Sequence, residues 1–328
     1  MKELLLLLCR YPYDKTNRET LSKLISQVQD WNMMVELINA HGIIALAAYN
    51  IKEAGLENEV TQDAMTILEN GYRQSMVRNT WLTERWKEVN TILCNAGIKH
   101  ILLKGMALEY TVYGAKGLRQ MNDNDILIKR EEATEAWYLL QNEGFTYKTP
   151  KSPLHLKIMK DISHHLPALY RDGYSLEIHT KLFDNKILIE KGYPDLFEKS
   201  VEISADNKKA FILPQEIHLD YLIKHFEQHA GAGECQIRTY ADILMLSKGN
   251  HPAFPEQFIL NPDQRGSSVF KKPAYRARVN FIDPKYRLLF ILGDLFPSPK
   301  WMKERYRCRG IKVFLYYPHR LGKLWWLW

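Results

Sequence analysis

The feature that most constrains the fold is a change of hydrophobic period between residues 99 and 182. Before it, apolar residues recur at helical spacing, whereas "KHILLKG" and "DNDILIK" are short aliphatic runs typical of strands. A helical pattern follows each of these two runs. In "HHLPALYRDGYSLEIHTKL", Asp172-Gly173 is a strong turn signal between two alternating runs. The segment therefore predicts a β-α-β-α-β core closed by a hairpin.

Predicted helices flank this core on both sides. An apolar helical stripe runs through "NRETLSKLISQVQDW" before it, and another runs through "PQEIHLDYLIKHFEQH" after it. Residues 250–285 are rich in Pro, Asn and Arg and predict an extended loop or short elements. We therefore predict an α+β fold, with a small mixed-sheet core at 98–205 between an N-terminal helical region at 1–97 and a C-terminal helical region at 206–328.

Composition places the chain among globular proteins without membrane spans. Hydrophobic residues make up 46% and charged residues 25% of the sequence, and no apolar run approaches the roughly 18 residues that a spanning helix needs. The N-terminal "MKELLLLLCRYP" has too short an apolar run for a signal peptide and predicts a buried first helix. The four scattered cysteines indicate neither a disulfide scaffold nor a zinc ribbon, and they fit a reducing, cytoplasmic location.

The net charge of +7 is concentrated at the C-terminus. Residues 300–328, which we call the tail, hold eight Lys or Arg residues against one acid, so the 37 basic and 37 acidic residues before them balance. Four tryptophans lie among these charges. Three interpretations stay open, in decreasing order of expectation: a segment packed on the core, a surface for RNA, and a membrane-interface anchor.

Two carboxylates precede the second predicted strand. Asp123 and Asp125 lie two residues apart, so in a strand their side chains point to the same face with Cα atoms about 6.5–7 Å apart. That spacing lets both carboxylates converge on one or two divalent ions. A turn is the alternative, because Asn-Asp-Asn is turn-prone. A calcium loop is excluded, because Leu127 and Ile128 stand where it requires Asp or Asn and then Gly.

A third carboxylate favours the metal interpretation. Glu177 and His179 share one face of the last predicted strand, which belongs to the same small core as the two aspartates. Upstream, Gly105 ends the first strand where a helix begins, and free backbone N–H groups at such a point can bind a phosphate. Lys104 and Arg119 add cationic donors. This combination predicts a metal-dependent nucleotidyl-transfer site.

The order of these motifs resembles nucleotidyltransferases of the DNA polymerase β-like superfamily, and most closely the bacterial group called nucleotidyltransferase family 5. The similar stretches are "LLKGMALEYTVYGAKGLRQMNDNDILI", "LEIHTKL", "RTYADILML" and "LFPSPKWMKERY". The sequence departs from the superfamily at Lys104, where Gly-Gly or Gly-Ser is usual, and at Asn124, where an aliphatic residue is usual.

The resemblance implies a function and roles for the matched residues. Asp123, Asp125 and Glu177 would hold Mg²⁺ or Mn²⁺ and carry catalysis, while Lys104, Gly105 and Arg119 would bind the nucleotide. The enzyme would move a nucleoside monophosphate from an NTP to an unidentified acceptor, which is a small molecule, a protein or an RNA, and release pyrophosphate. Membrane attachment is not expected. The alternative is an inactive nucleotide-binding or regulatory protein that keeps the fold.

Several other polar residues are secondary candidates. His165 begins the hairpin opposite Glu177, and Arg238 follows in a later helix, where Asp242 is in position to pair with it at i, i+4. His218, His225 and His229 share a helix face and are expected to pack at an interface, because "HFEQH" lacks the glutamate of a zinc-protease motif. No GxxxxGK[ST] motif is present, which excludes an ordinary P-loop ATPase.

Overall fold

The structure is a computed structural model. It describes residues 1–114, 117–182, 195–247, 249, 251–265, 267, 275, 279–280 and 282–325. The fold class is α+β, as predicted, with a seven-stranded mixed sheet and helices before and after it in the chain.

The chain forms two compact units whose division falls within one strand. The first unit comprises Met1–Ile126 and Tyr193–Phe270, and the second comprises Leu127–Gly192 and Lys271–Trp328. The predicted division at residues 97 and 205 stays a prediction.

Helices dominate the first part of the chain. They are α1 (Lys2–Leu8), α2 (Arg18–Ser26), α3 (Trp31–Ala40), α4 (Ile44–Glu53) and α5 (Gln62–Asn95). The first is buried through Leu4, Leu5 and Leu8, as predicted. The long helix α5 ends just before Gly97, whose φ of 71° provides the left-handed conformation that commonly terminates a helix.

Seven strands form the sheet, with six further helices described between or after them up to residue 247. The strands are β1 (His100–Leu102), β2 (Asn124–Ile128), β3 (Thr146–Tyr147), β4 (Leu169–Arg171), β5 (Tyr174–His179), β6 (Val201–Ala205) and β7 (Lys208–Ile212). The helices are α6 (Lys104–Thr111), α7 (Arg130–Asn142), α8 (Pro153–Ile162), α9 (Leu196–Lys199), α10 (Gln215–Gly231) and α11 (Ile237–Ser247).

The strand order is β3-β4-β5-β2-β1-β7-β6. β1 and β7 pair in parallel, whereas β3 with β4, β4 with β5, and β6 with β7 pair antiparallel. Asp172 and Gly173 both have positive φ, 51° and 80°, as a tight hairpin turn requires. The predicted β1, β2, β3 and β4–β5 hairpin are therefore confirmed, while α8 and the β6–β7 hairpin were not predicted.

The chain after residue 282 is helical, with α12 (Pro284–Leu295), α13 (Pro299–Tyr306), a 3₁₀ segment (Gly310–Leu315) and α14 (Tyr316–Trp325). Within the second unit α8 packs against α12. Part of the predicted 250–285 loop, and Trp326 and Trp328 of the tail, lie outside the described residues.

The tail is partly packed and partly exposed. Met302 and Val313 are buried, and the Tyr317 hydroxyl donates to the Pro297 carbonyl at 2.6 Å. By contrast, the side chains of Ile311, Phe314 and Leu315 are exposed. The packed interpretation therefore accounts for one side of the tail, and the RNA and membrane interpretations stay predictions for the rest. Among the described residues, no helix combines the length and the apolar character needed to cross a bilayer.

Met302 tests whether the tail stabilises the fold. Because its side chain is fully buried, Met302→Ala should lower the free energy of unfolding by about 2–4 kcal/mol. Met33→Ala is the matched control, because Met33 is 42% exposed and its truncation should have little effect. The measurement is urea unfolding followed by circular dichroism. Equal midpoints for Met302→Ala and the unsubstituted protein would show that the tail is not part of the core.

Candidate metal and nucleotide site

The turn after β1 is shaped by close packing. Lys104 begins α6 with a φ of 45°, in the left-handed region that non-glycine residues rarely adopt. A Cβ atom on Gly105 would lie 2.5 Å from Arg119 Nη1 and 3.0 Å from the Met121 side chain. Glycine is therefore needed here because neighbouring side chains fill the space beside its Cα. Its predicted contact with a phosphate stays a prediction.

The segment that leads into β2 is tied to one side of α5. Three α5 side chains donate hydrogen bonds to its backbone carbonyls: Ser75 to Gly117 at 2.7 Å, Asn79 to Arg119 at 2.8 Å and Arg78 to Asn122 at 2.8 Å. In the other direction, the Asn124 side chain donates to the Leu82 carbonyl at 3.1 Å. One side of α5 therefore sets the path of the chain up to Asp123 and Asp125, and the hydrogen bond to Leu82 gives the polar side chain of Asn124 a structural role.

Arg119 forms a buried ion pair with Asp242 of α11. Arg119 Nε and Nη2 lie 2.9 and 2.8 Å from Asp242 Oδ2, and the Tyr113 hydroxyl donates to Asp242 Oδ1 at 2.9 Å. Burial lowers the pKa of Arg119, but the adjacent Asp242 carboxylate outweighs burial and the pKa is raised. The Arg119 guanidinium is thus held in its charged form. The expected pairing of Asp242 with Arg238 is wrong, because Asp242 has no exposed surface and points to Arg119.

Arg238 lies at the same segment without this partner. Its guanidinium donates to the Gln120 carbonyl at 3.0 Å and to Gln236 Oε1 at 3.0 Å. Burial, and then the charge of Arg119, lower the pKa of Arg238 to about 10. Arg238 therefore remains a cation at neutral pH. The residue that accepts its hydrogen bond, Gln120, lies three residues before Asp123 in the chain.

Asp125 lies in the middle of a polar cluster on neighbouring strands. Its carboxylate is 5% exposed and accepts from Lys104 Nζ at 2.9 Å. One ligand atom each from Asp125, Glu177 and His179 lies within 4.8 Å of the others. Asp125 lies on β2 and the other two on β5, which is next to β2 in the sheet. Two carboxylate oxygens and an imidazole nitrogen form a donor set suited to Mn²⁺ or another first-row ion.

The alternation of β5 explains why the side chains of Glu177 and His179 lie close together. They lie two residues apart, so their side chains share a face, and His179 Nε2 is 3.6 Å from Glu177 Oε2. Asp123 is exposed, lies one residue before β2 and is not a member of the cluster. Its role as a metal ligand and catalytic residue stays a prediction, as do the roles of Asp125 and Glu177.

His165 lies beside His179, on the segment that precedes β4. The two residues form an antiparallel bridge and their ring centroids are 5.8 Å apart. Burial lowers the pKa of His165, so this ring is neutral at pH 7. His165 is thus close to His179 without being a member of the metal-ligand cluster, and the sequence could not place it because the pairing register was unknown.

Of the three α10 histidines, His218 is buried as expected, whereas the side chain of His229 is 47% exposed. His218 is buried, and its pKa falls to about 4 because of burial and the nearby charge of Arg119. The rings of His225 and His229 lie 4.3 Å apart by their centroids. None of the three belongs to the metal-ligand cluster found among the described residues.

The Asp242 ion pair yields a stability prediction. Asp242→Asn leaves the Arg119 guanidinium buried without its counter-charge, so the free energy of unfolding should fall by about 3–5 kcal/mol. The control is Asp220→Asn, which removes an i, i+4 pair with Lys224 that is partly exposed and should cost less than about 1 kcal/mol. Both are measured by urea unfolding at pH 7. Equal losses from the two variants would contradict a special role for the buried pair.

Two buried histidines predict a pH dependence. His100 and His218 both have pKa values lowered to about 4 by burial, whereas an unfolded histidine titrates near 6.5. The unfolded chain therefore takes up protons that the folded chain does not, and stability is lost as the pH falls from about 6.5 to about 4. His218→Gln should reduce the slope by up to about 1.4 kcal/mol per pH unit over this range. Unfolding curves at pH 6.5, 5.5 and 4.5 measure it, and an unchanged slope would contradict the assignment.

Comparison with known proteins identifies the family of the chain. The sequence model of a family described as uncharacterised nucleotidyltransferase matches residues 27–260, which is more than half of the 328-residue chain. No curated protein and no solved structure matches the chain. The matched range contains Lys104, Gly105, Arg119, both aspartates and Glu177. The chain therefore belongs to this family of uncharacterised nucleotidyltransferases.

Proposed function

We propose that the protein transfers a nucleoside monophosphate from an NTP to a hydroxyl of an acceptor, with a divalent metal ion and with release of pyrophosphate. The observation that carries this proposal is the convergence of Asp125, Glu177 and His179 within 4.8 Å in a member of a nucleotidyltransferase family. A cation bound among these three buried or half-buried donors would compensate the charge of the two carboxylates.

The proposed metal ligands are Asp125, Glu177 and His179, and Asp123, which is exposed and lies one residue before β2, is a further candidate. Mg²⁺ or Mn²⁺ bound there would supply charge neutralisation at the α-phosphate and at the leaving pyrophosphate. The nitrogen of His179 favours Mn²⁺ over Mg²⁺, because magnesium prefers oxygen ligands.

Lys104 is proposed to bind the triphosphate. Its ammonium group lies 2.9 Å from Asp125 Oδ1 and has three donors, so it can contact that carboxylate and a phosphate oxygen together. Gly105 follows it without a side chain that would block the turn. The Arg119 side chain packs beside Gly105, and its charge is balanced by Asp242. Arg238 is a second candidate for a phosphate contact.

The proposed transfer step requires one bond to form and one to break. The acceptor oxygen bonds to the α-phosphorus, and the bond from that phosphorus to the oxygen bridging to the β-phosphate breaks. The bonding electrons leave with pyrophosphate, and the acceptor hydroxyl proton passes to Glu177 and then to water. Glu177 suits this role because its side chain is 29% exposed, so it can reach both the site and solvent.

One observation favours a second candidate function. The Lys104 ammonium already neutralises Asp125, as a metal ion would, and it stands where related enzymes carry a small residue. The alternative is therefore a nucleotide-binding or regulatory protein in which the lysine replaces the metal and no transfer occurs.

Calorimetric titration of ATP, GTP, CTP and UTP distinguishes these two functions. For the enzyme, Mn²⁺ should tighten binding of at least one NTP by tenfold or more, and Mg²⁺ should do so less strongly. Asp125→Asn should abolish the metal effect because it removes a charged ligand. Asp63→Asn, at an exposed acid in the first turn of α5, is the matched control and should behave like the unsubstituted protein.

The variant Lys104→Ala distinguishes the enzyme from a protein in which the lysine replaces the metal. In the enzyme, the variant should still show metal-dependent binding, although weaker. If Lys104 replaces the metal, NTP binding should be metal-independent in the unsubstituted protein and lost in Lys104→Ala. Equal NTP affinity with and without Mn²⁺ in the unsubstituted protein would refute the metal site. Transfer of label from an α-labelled NTP to a fractionated lysate then tests turnover.

A further inference from the structure

A cleft of about 990 Å³ lies within the first unit, lined by residues of α3, α4, α5 and the segment that leads into β2. Its volume is at the upper end of the range for small-molecule sites. Carboxamide side chains dominate its polar lining: Asn32, Asn39, Asn70, Gln74, Gln120 and Asn122.

Most of these amides are available to a ligand. Within the described part of the chain, the side chains of Asn32, Asn39, Gln74 and Asn122 make no hydrogen bond to protein. Gln120 uses its oxygen to accept from the Ile44 backbone at 3.2 Å and keeps its two donors. Each carboxamide offers donors and an acceptor, so a ligand that matches several of them must itself donate and accept.

The charges of the cleft limit the ligand further. Glu36 and Arg78 are the charged residues among those described in its lining, and their charges cancel. A triphosphate or RNA would require an excess of cations, and a polyamine would require an excess of acids. The described lining also contains no aromatic ring, so a nucleobase would find no stacking surface.

The remaining ligand class is neutral and rich in hydroxyl groups. Hydroxyls donate and accept, as carboxamides do, and Ile44, Ile67 and Met121 provide apolar surface for the C–H groups of such a molecule. This composition matches a sugar or another polyol.

The position of the cleft connects this ligand to the proposed chemistry. Gln120, Met121 and Asn122 line it, and Asp123 is the next residue in the chain. Arg78 of the lining also donates to the Asn122 carbonyl at 2.8 Å, which fixes this edge of the cleft to α5. This edge of the cleft thus lies two residues before β2, the strand that carries Asp125.

We propose that this cleft is the acceptor site and that the acceptor is a neutral polyhydroxylated compound, such as an uncharged sugar. The assignment rests on the proposed function. One acceptor hydroxyl would lose its proton as its oxygen bonds to the α-phosphorus and pyrophosphate leaves, giving a nucleotidylated sugar.

The test measures binding without NTP or metal, so that it does not depend on transfer. Saturation-transfer NMR is recorded with the full chain and a panel of maltose, cellobiose, lactose, sucrose and myo-inositol at millimolar concentration. Glucose 6-phosphate and kanamycin represent anionic and cationic ligands. Gln74→Ala and Asn39→Ala each remove an unbonded cleft amide and should weaken binding about 2- to 10-fold, the effect of one hydrogen bond. Gln62→Ala, an exposed amide at the start of α5, is the control and should have no effect.

Binding of at least one neutral compound that both cleft variants weaken and Gln62→Ala does not would support the proposal. Three results would overturn it. They are the absence of binding by every neutral compound, binding of a neutral compound that Gln74→Ala and Asn39→Ala leave unchanged, and stronger binding of glucose 6-phosphate or kanamycin through the same residues. Sugar binding without transfer of label from any NTP would leave the cleft assignment standing and would instead refute the proposed enzyme activity.

Discussion

The ion pair between Arg119 and Asp242 is the interaction on which the first unit depends. Asp242 has no exposed surface, so its carboxylate is stable in the interior only because a guanidinium and the Tyr113 hydroxyl surround it. Tyr113 and Arg119 both lie between α6 and β2, and Asp242 lies on α11, 123 residues after Arg119. A single buried charge thus joins two segments that are far apart in the chain. The same ion pair holds the Arg119 side chain beside Gly105, which explains why the turn after β1 has no room for a side chain at Gly105.

The α5 helix provides the second constraint on the candidate site. Its hydrogen bonds go to backbone carbonyls of residues 117, 119 and 122, so they hold the path of the chain whatever side chains the segment has. Asp125 follows this segment in the chain and lies in β2, where its carboxylate accepts a hydrogen bond from the Lys104 ammonium group. The site therefore combines a rigid backbone with a carboxylate whose charge is already balanced, and the metal and the lysine compete for that carboxylate in the proposed function.

Local patterns in the sequence predicted the elements that hold the candidate residues. The aliphatic runs of β1 and β2 and the Asp172-Gly173 turn have strong local signals, and the structure has these elements. The β6–β7 hairpin was missed because "VEISADNKKAFI" is charged at several positions, although Asp206 and Asn207 both have the positive φ typical of a hairpin turn. Its partner in the sheet is β1, about 110 residues earlier, and no local pattern encodes such a pairing. The i, i+4 spacing predicted Arg238 as the partner of Asp242, whereas the partner in the structure is Arg119. Helical spacing shows which residues are neighbours on a helix, but not which side chains point into the protein interior.

The geometry of α5 has a consequence for how acceptor choice can change over evolution. Asn70 and Gln74 line the cleft on one side of the helix, while Asn79 and Leu82 hold the segment before β2 from an adjacent side. Ser75 and Arg78 belong to both groups, because they line the cleft and also donate to the segment before β2, whereas Asn70 and Gln74 line the cleft without a bond to that segment. If the proposed function holds, substitutions at Asn70 and Gln74 would change the surface offered to the acceptor while the hydrogen bonds that hold the segment before β2 remain. Under that proposal, different substrates for the same reaction would be expected to arise from changes at these two positions.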